Sequence, residues 1–305
     1  MRSAYYPNAT LRRQLAALDF VPTHVSDQML RGTQASRRRG SGLEFRQYRA
    51  YQQGDDARRI DWKQYGRTDK LYIRESDEDR RLVITFVIDA SASMSVVDAN
   101  GMRRLDAARY QVAALAWLAM HKHHEFCLVE LNGDRVEVLP PGQGTDHYHR
   151  LLAHLDGLEA KGQWRESLFR DLVGRLPQRM LLVMVSDFFE HNDEHRRGIA
   201  ELIAQSHATL LLQLLLPLEL DWSVNGQVEV IDVETNQRRL VASRRFRSEY
   251  RRRLKEMLEE LRLHFQAVGA RFVRASTTTP VGEVARAMLT DDLRAEARLL
   301  TDVSE

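Results

Sequence analysis

The 305-residue chain has one cysteine, no long hydrophobic run and almost no net charge. Each shortage excludes something. Cys127 has no partner within the chain, so a disulfide framework is ruled out. The longest apolar stretch, Leu210 to Leu220, is interrupted by Gln213 and meets Pro217 and Glu219. A membrane-spanning helix needs about 20 apolar residues, so no membrane association is expected. The opening residues, Met1 to Pro7, lack the apolar core of a secretory leader. No repeat, low-complexity tract, Walker-type phosphate loop or Gly-x-Ser-x-Gly elbow is present. Forty-five basic and 43 acidic side chains leave a net charge of +2, and 43% of residues are hydrophobic. Disorder requires the opposite balance. The composition describes a folded cytoplasmic protein of one or two domains.

What is there is unevenly placed. Residues 1–82 carry 17 basic and 11 acidic side chains, whereas 83–305 carry 28 and 32. The boundary near Leu82 separates an N-terminal segment, 1–82, from a domain at 83–305. A positive segment of this size can meet nucleic acid or an acidic protein face. Acids and bases interleave in both parts, however, which favours docking of one part on the other. Nucleic acid is not expected as a partner.

From Leu82 onward, buried strands alternate with helices. Leu82 to Ile88 is apolar and β-branched on both faces, as a strand inside a parallel sheet should be. Leu105, Ala108, Val112, Leu115 and Ala119 follow at helical spacing. Phe126 to Leu131 reads as a strand turning at Asn132-Gly133 into Val136–Leu139, with Pro140-Pro141-Gly142 as a break. Helices are predicted around 146–156 and 165–175, a strand over Met180–Val185, a helix near 194–206 and a strand over Thr209–Leu216. A two-stranded ribbon near 228–241, a helix over 243–268, the strand Arg271–Ala275 and a helix capped by Thr279-Pro280 complete the pattern. The fold class expected is α/β, a doubly wound and mostly parallel sheet.

Ligands of such sheets collect beyond the carboxyl ends of the strands. There the first core strand ends in Asp89-Ala90-Ser91-Ala92-Ser93, and Met180–Val185 ends in Ser186-Asp187. Oxygen side chains at alternate positions, joined by a second carboxylate, suit a hard cation such as Mg²⁺. Helix capping would need only one of them. Asp89-x-Ser91-x-Ser93 resembles the first motif of the metal-ion-dependent adhesion site of von Willebrand factor A domains, and Asp187 matches that site's last acidic position. The resemblance implies Mg²⁺ held by Asp89, Ser91, Ser93 and Asp187, with an acidic residue of a protein ligand completing the shell. The family's further ligand is a threonine in a middle loop. By chain order that slot is Lys161 to Ser167, which has no threonine, and Thr145 comes one helix too early.

The preceding segment, Gly40-Ser41-Gly42-Leu43-Glu44-Phe45-Arg46-x-Tyr48-Arg49-x-Tyr51-x-x-Gly54-Asp55-Asp56-x-Arg58-x-Ile60-Asp61-Trp62-Lys63-x-x-x-Arg67, resembles the signature of the domain of unknown function 58 family. Its members continue into a domain of von Willebrand factor A type, so the N-terminal segment is expected to pack on that domain. The resemblance also implies a MoxR-type AAA+ ATPase as partner and a non-enzymatic adaptor role. The segment's acids, bases and aromatics suit an internal ion-pair network or a recognition surface.

Two other functions are conceivable. A Mg²⁺-dependent phosphohydrolase of haloacid dehalogenase type would use Asp89 as nucleophile, but Ser91 stands where such enzymes place their second aspartate. Nucleic-acid binding would use the basic segment and the arginines at 244–253, without any recognition motif. His121, His123 and His124 are expected to end a helix rather than bind metal, and His191 and His195 to be solvated.

Overall fold

A computed structural model describes residues 3–20, 48–50, 62–68, 71–74, 82–133, 135–165, 168–177, 179–189, 193–220, 227–231 and 238–290. They fall into two compact units, one of 28–81 and one of 1–27 together with 82–305. The opening helix α1, Ala9–Ala16, therefore belongs with the α/β unit, although its sequence position lies in the basic segment. Asn8 caps it, its side chain accepting the Leu11 N–H at 2.9 Å, and Leu15 is its buried anchor.

In the smaller unit, β1 (Tyr48–Ala50) pairs antiparallel with β2 (Tyr72–Arg74), and α2 (Trp62–Thr68) lies between them in sequence. Much of the family signature, including Asp55 and Asp56, lies outside the described residues, so the expected ion-pair network does too.

The larger unit runs β3 (Val83–Asp89), α3 (Arg104–His121), β4 (Phe126–Asn132), β5 (Arg135–Gly142), α4 (Gly144–Gly157), α5 (Leu168–Val173), β6 (Met180–Ser186), α6 (Asp193–Gln205) and β7 (Ala208–Leu215). There follow α7 (Pro217–Leu220), the antiparallel ribbon β8 (Gln227–Ile231) and β9 (Arg238–Ala242), α8 (Ser243–Ala267), β10 (Arg271–Ser276) and α9 (Val281–Leu289). Six strands form one sheet in the order β10-β7-β6-β3-β4-β5, all parallel except β5. This is the α/β, doubly wound, mostly parallel architecture expected.

Both faces of the sheet are covered, which is why β3, β6 and β7 at its middle are almost wholly apolar. Ile84, Phe86 and Ile88 point to the layer holding α1, α3, α4 and α9, whereas Val87 points to the layer of α5, α6 and α8. Helix α3 is buried nearly all round, so it has no polar face to speak of. Truncating a fully buried ring such as Phe86 to alanine costs about 3–5 kcal/mol.

Two boundaries differ from expectation. Pro140-Pro141-Gly142 continue β5 instead of breaking it. As β5 is an edge strand, proline's missing N–H can face away from the sheet there. Helix α9 is capped by Pro280, one residue later than Thr279-Pro280 suggested.

The chain starts the sheet at β3, builds outward through β4 and β5, then returns to lay β6 on the opposite side of β3. Loops leaving β3 and β6 thus diverge, and the crevice of this fold opens between them. The expected site residues lie there.

Candidate functional site

Asp89 ends β3 with only 2% of its surface exposed, and three donors converge on it. Its Oδ1 accepts the Ser91 N–H at 2.8 Å and the Trp164 Nε1–H at 3.1 Å. Its Oδ2 accepts the Ser186 hydroxyl at 2.6 Å, and that hydroxyl oxygen accepts the Phe188 N–H at 2.9 Å. Ser91 and Ser93 face one another across the 3₁₀ turn Ala92–Ser95, their Oγ atoms 3.0 Å apart. At the end of β6, Asp187 Oδ1 accepts the Phe189 N–H at 3.1 Å, and Gln213 Nε2 donates to its carbonyl at 2.8 Å. The structure brings all four expected residues into one cluster.

Its centre is a residue outside that expected set. Arg104, the first residue of α3, is 1% exposed. Its Nη1 donates to Asp187 Oδ2 and, at 3.2 Å, to the Ser93 carbonyl. Its Nη2 donates to Glu219 Oε1 on α7, whose Oε2 accepts the Leu216 N–H at 2.7 Å. The Phe189 ring lies under the guanidinium, 5.6 Å from centroid to Cζ. A positive side chain at a helix N-terminus opposes the helix dipole, and the two carboxylates offset this. One arginine therefore ties together the loops leaving β3, β6 and β7.

The middle loop is positioned by backbone. Lys161 N–H donates to the Ala90 carbonyl at 2.9 Å, and Ala92 N–H to the Gly162 carbonyl at 2.8 Å. Gly162 has φ of +72°, and a Cβ there would stand 2.9 Å from the Cα of Gly133. Only glycine fits such a position. The loop so held delivers Trp164 to Asp89, in the slot where the family pattern has threonine. Behind it, His195 packs edge-on against Trp164 at 5.8 Å and is buried, not solvated as expected. Thr145 is exposed in the first turn of α4, which follows Gly142, the partner of Phe126 at the amino edge of the sheet, far from the cluster.

Phe188 takes φ of +54°, a left-handed conformation costly for a bulky residue. Its ring is held 5.7 Å from both Phe265 and Phe272. Burial, then the charge of Asp187, pushes the Asp89 carboxyl up to about 7, against the hydrogen bonds from Ser186 and Ser91. Burial also raises Glu219, with Arg104 opposing.

A divalent ion needs several oxygens with free lone pairs directed at one point. Here Asp187 Oδ2 is taken by a guanidinium and both Asp89 oxygens by N–H and O–H donors. Among the described residues no group of three or more His, Cys, Asp and Glu is arranged to hold a metal. Engaged in this way, the carboxylates of Asp89 and Asp187 do not fit the direct coordination of Mg²⁺ that the adhesion-site pattern implied. The expected histidines do not gather either. His121 stacks on Trp117 at 4.8 Å, His123 takes φ of +59° at the end of α3, and His191 lies outside the described residues.

A sheet of this topology carrying its polar cluster at the β3–β6 switch point defines an α/β module. Within that class, residues 47–260 match the family model described as "Protein of unknown function DUF58", and the chain belongs to this family. It is 29% identical over 229 residues to the uncharacterized protein Rv1480 of Mycobacterium tuberculosis H37Rv, spanning 74% of this chain and 71% of that protein. The uncharacterized protein Mb1516 of Mycobacterium bovis matches with the same figures, 29% over 229 residues. Among solved structures, the conserved hypothetical protein BatB from Bacteroides thetaiotaomicron aligns at TM-score 0.42 and 12% identity, over 72% of this chain and 98% of its own. The SpRpn10 VWA domain aligns at TM-score 0.43 and 11% identity, over 68% and 95%. No helix among the described residues is long and apolar enough to cross a membrane.

Proposed function

We propose that this protein is a non-enzymatic interaction module of adaptor type. It binds an acidic protein ligand at the carboxyl edge of the sheet, and its partner is a MoxR-type AAA+ ATPase. The observation that carries the reading is that Arg104 bonds Asp187, the Ser93 carbonyl and Glu219 at once. The loops after β3, β6 and β7 are thereby fixed into one preorganised edge, which is what a docking surface requires and lowers the ordering cost of binding.

The same feature speaks against turnover. A carboxylate nucleophile needs an ionised oxygen free to attack. Asp89 is buried, bonded through both oxygens and pushed up to about 7. Ser91 and Ser93 bond each other, and the carboxylate beside Ser91, Asp89, is already bonded through both oxygens.

The test is capture of a MoxR-type AAA+ ATPase by the full chain. Retention that falls at least tenfold in Ser93→Ala and Asp187→Asn, and is the same with and without EDTA, is the expected result. Unchanged retention in both variants would remove the loop edge as the contact. Sustained Mg²⁺-dependent phosphatase turnover abolished by Asp89→Asn would replace the adaptor reading altogether.

A further inference from the structure

The guanidinium of Arg104 is only half used. Nη1 is committed between Asp187 and the Ser93 carbonyl, both of them fixed by their own loops. Nη2 receives a single oxygen of Glu219, because the other oxygen is turned toward the Leu216 N–H. Nε is buried and has no acceptor among the described residues. An unmet buried donor on a fixed cation asks for an acceptor. A carboxylate set side-on to the fork satisfies Nη2 and Nε together, in the bidentate geometry that arginine favours.

Of the two carboxylates bonded to Arg104 among the described residues, Glu219 is the one within reach of solvent. Its side chain is 21% exposed, against 1% for Asp187. It sits on the four-residue helix α7, next to Leu218, which is 45% exposed. Across the cluster, Val97 is 49% exposed and bridges to Arg103, immediately before Arg104. A polar centre with solvent-facing apolar side chains on both flanking loops has the composition of an interaction hot spot and its rim.

We propose that Arg104 makes this edge a metal-independent acceptor for a carboxylate side chain, with Glu219 as an internal occupant that a partner's Asp or Glu displaces. The proposal deepens the interaction reading and rests on it. The incoming group supplies two oxygens where Glu219 supplies one, so Nε gains the acceptor it lacks, while Glu219 gives up the Leu216 N–H. Release of Glu219 frees α7 to move. The guanidinium provides the charge, leaving no role for a divalent ion.

Glutarate serves as the probe, with glutaramide as the neutral control, both at about 10 mM, read as the shift in Tm of the full chain. Glu219→Ala, which vacates Nη2, is expected to gain several degrees with glutarate and none with glutaramide. The double variant Glu219→Ala with Arg104→Gln is expected to gain nothing. Equal shifts with glutarate and glutaramide in Glu219→Ala would overturn the proposal. Should Glu219→Ala not fold, the wild-type chain is expected to gain Tm with glutarate and none with glutaramide, and equal shifts overturn the proposal there too. Mn²⁺ titration of the wild-type chain by electron paramagnetic resonance is expected to show no bound ion at millimolar metal, and a bound ion would overturn metal independence. Loss of ATPase capture with the glutarate shift intact would sink the adaptor reading alone. The converse pattern would sink this one.

Discussion

Arginine meets carboxylate in two very different places in this protein. At the sheet edge, Arg104 and Asp187 are each 1% exposed and share one ion pair with a third group, Glu219. On the outer face of α8, Arg252 pairs with Glu249 and Glu256 at 2.8 Å each, and Arg253 with Glu249 at 2.6 Å, all in water. The surface set has ordinary geometry and several hydrogen bonds, and by a count of contacts it is the richer network. Solvent screens it, and long side chains lose entropy in forming it. The buried set has no water to fall back on, so the loss of any member leaves an uncompensated charge. Similar chemistry thus serves solubility and helix propensity in one place and holds three loops together in the other.

Breaking the buried set should produce the largest effect. Arg104→Gln is expected to cost about 3–5 kcal/mol in urea unfolding, because Asp187 would be left charged and unpaired. A cost below about 1 kcal/mol would mean that water reaches the cluster and that the two networks are alike.

The second effect depends on pH. The Asp89 carboxyl moves from an ordinary 3.8 to about 7 in the folded chain. The folded state therefore holds its proton more tightly than the unfolded state. This stabilises the protein below the unfolded value and is lost as pH rises toward the folded one. Asp89→Asn has no such titration, and Asn can still accept from Ser91 and Trp164 through its oxygen. Its stability relative to the wild type should climb by up to ~1.4 kcal/mol per pH unit across that window and then level off. Parallel stability curves from acid to neutral pH would show that Asp89 is not buried against Asp187.

A smaller effect is expected from Trp164→Phe, which keeps the ring contacts with Phe169 and His195 but deletes the indole N–H on Asp89. A loss of about 1 kcal/mol, measured by the urea midpoint, is expected. The smallest belongs to the surface. Arg252→Gln should leave the unfolding midpoint unchanged in physiological salt, and a clear shift there would erase the contrast between the two networks.

Much of the fold was legible because burial on both faces writes itself into composition. Val83–Asp89, Met180–Ser186 and Ala208–Leu215 are strands with hardly a polar side chain, and α8 shows its stripe at Leu254, Leu258, Leu261 and Phe265. The pairs Glu249–Arg253 and Arg252–Glu256 stand four apart on α8, where helical spacing alone brings them together. Asp89, Ser91, Ser93 and Asp187 could be singled out because they end such strands. Arg104 could not, since nothing in its local sequence separates an arginine at a solvated helix start from one turned into the crevice. Its one signal was a charged residue leading a helix without a polar face. Glu219 and Trp164 were hidden for the same reason, as both act across more than 70 residues of chain.

The sequence by itself determined the family, the alternation of strand and helix, and the sheet edge where polar chemistry would gather, because periodicity and motif spacing are local properties. Only the tertiary structure decided which charge sits at the centre of that edge. The guanidinium of Arg104 reaches Asp187 and Glu219 because β3, β6 and β7 are neighbours or near neighbours in the sheet, and strand order is not written in any one segment. With that charge supplied from within, the loops that carry Asp89, Ser93 and Asp187 are held by an arginine-centred clasp in the folded chain.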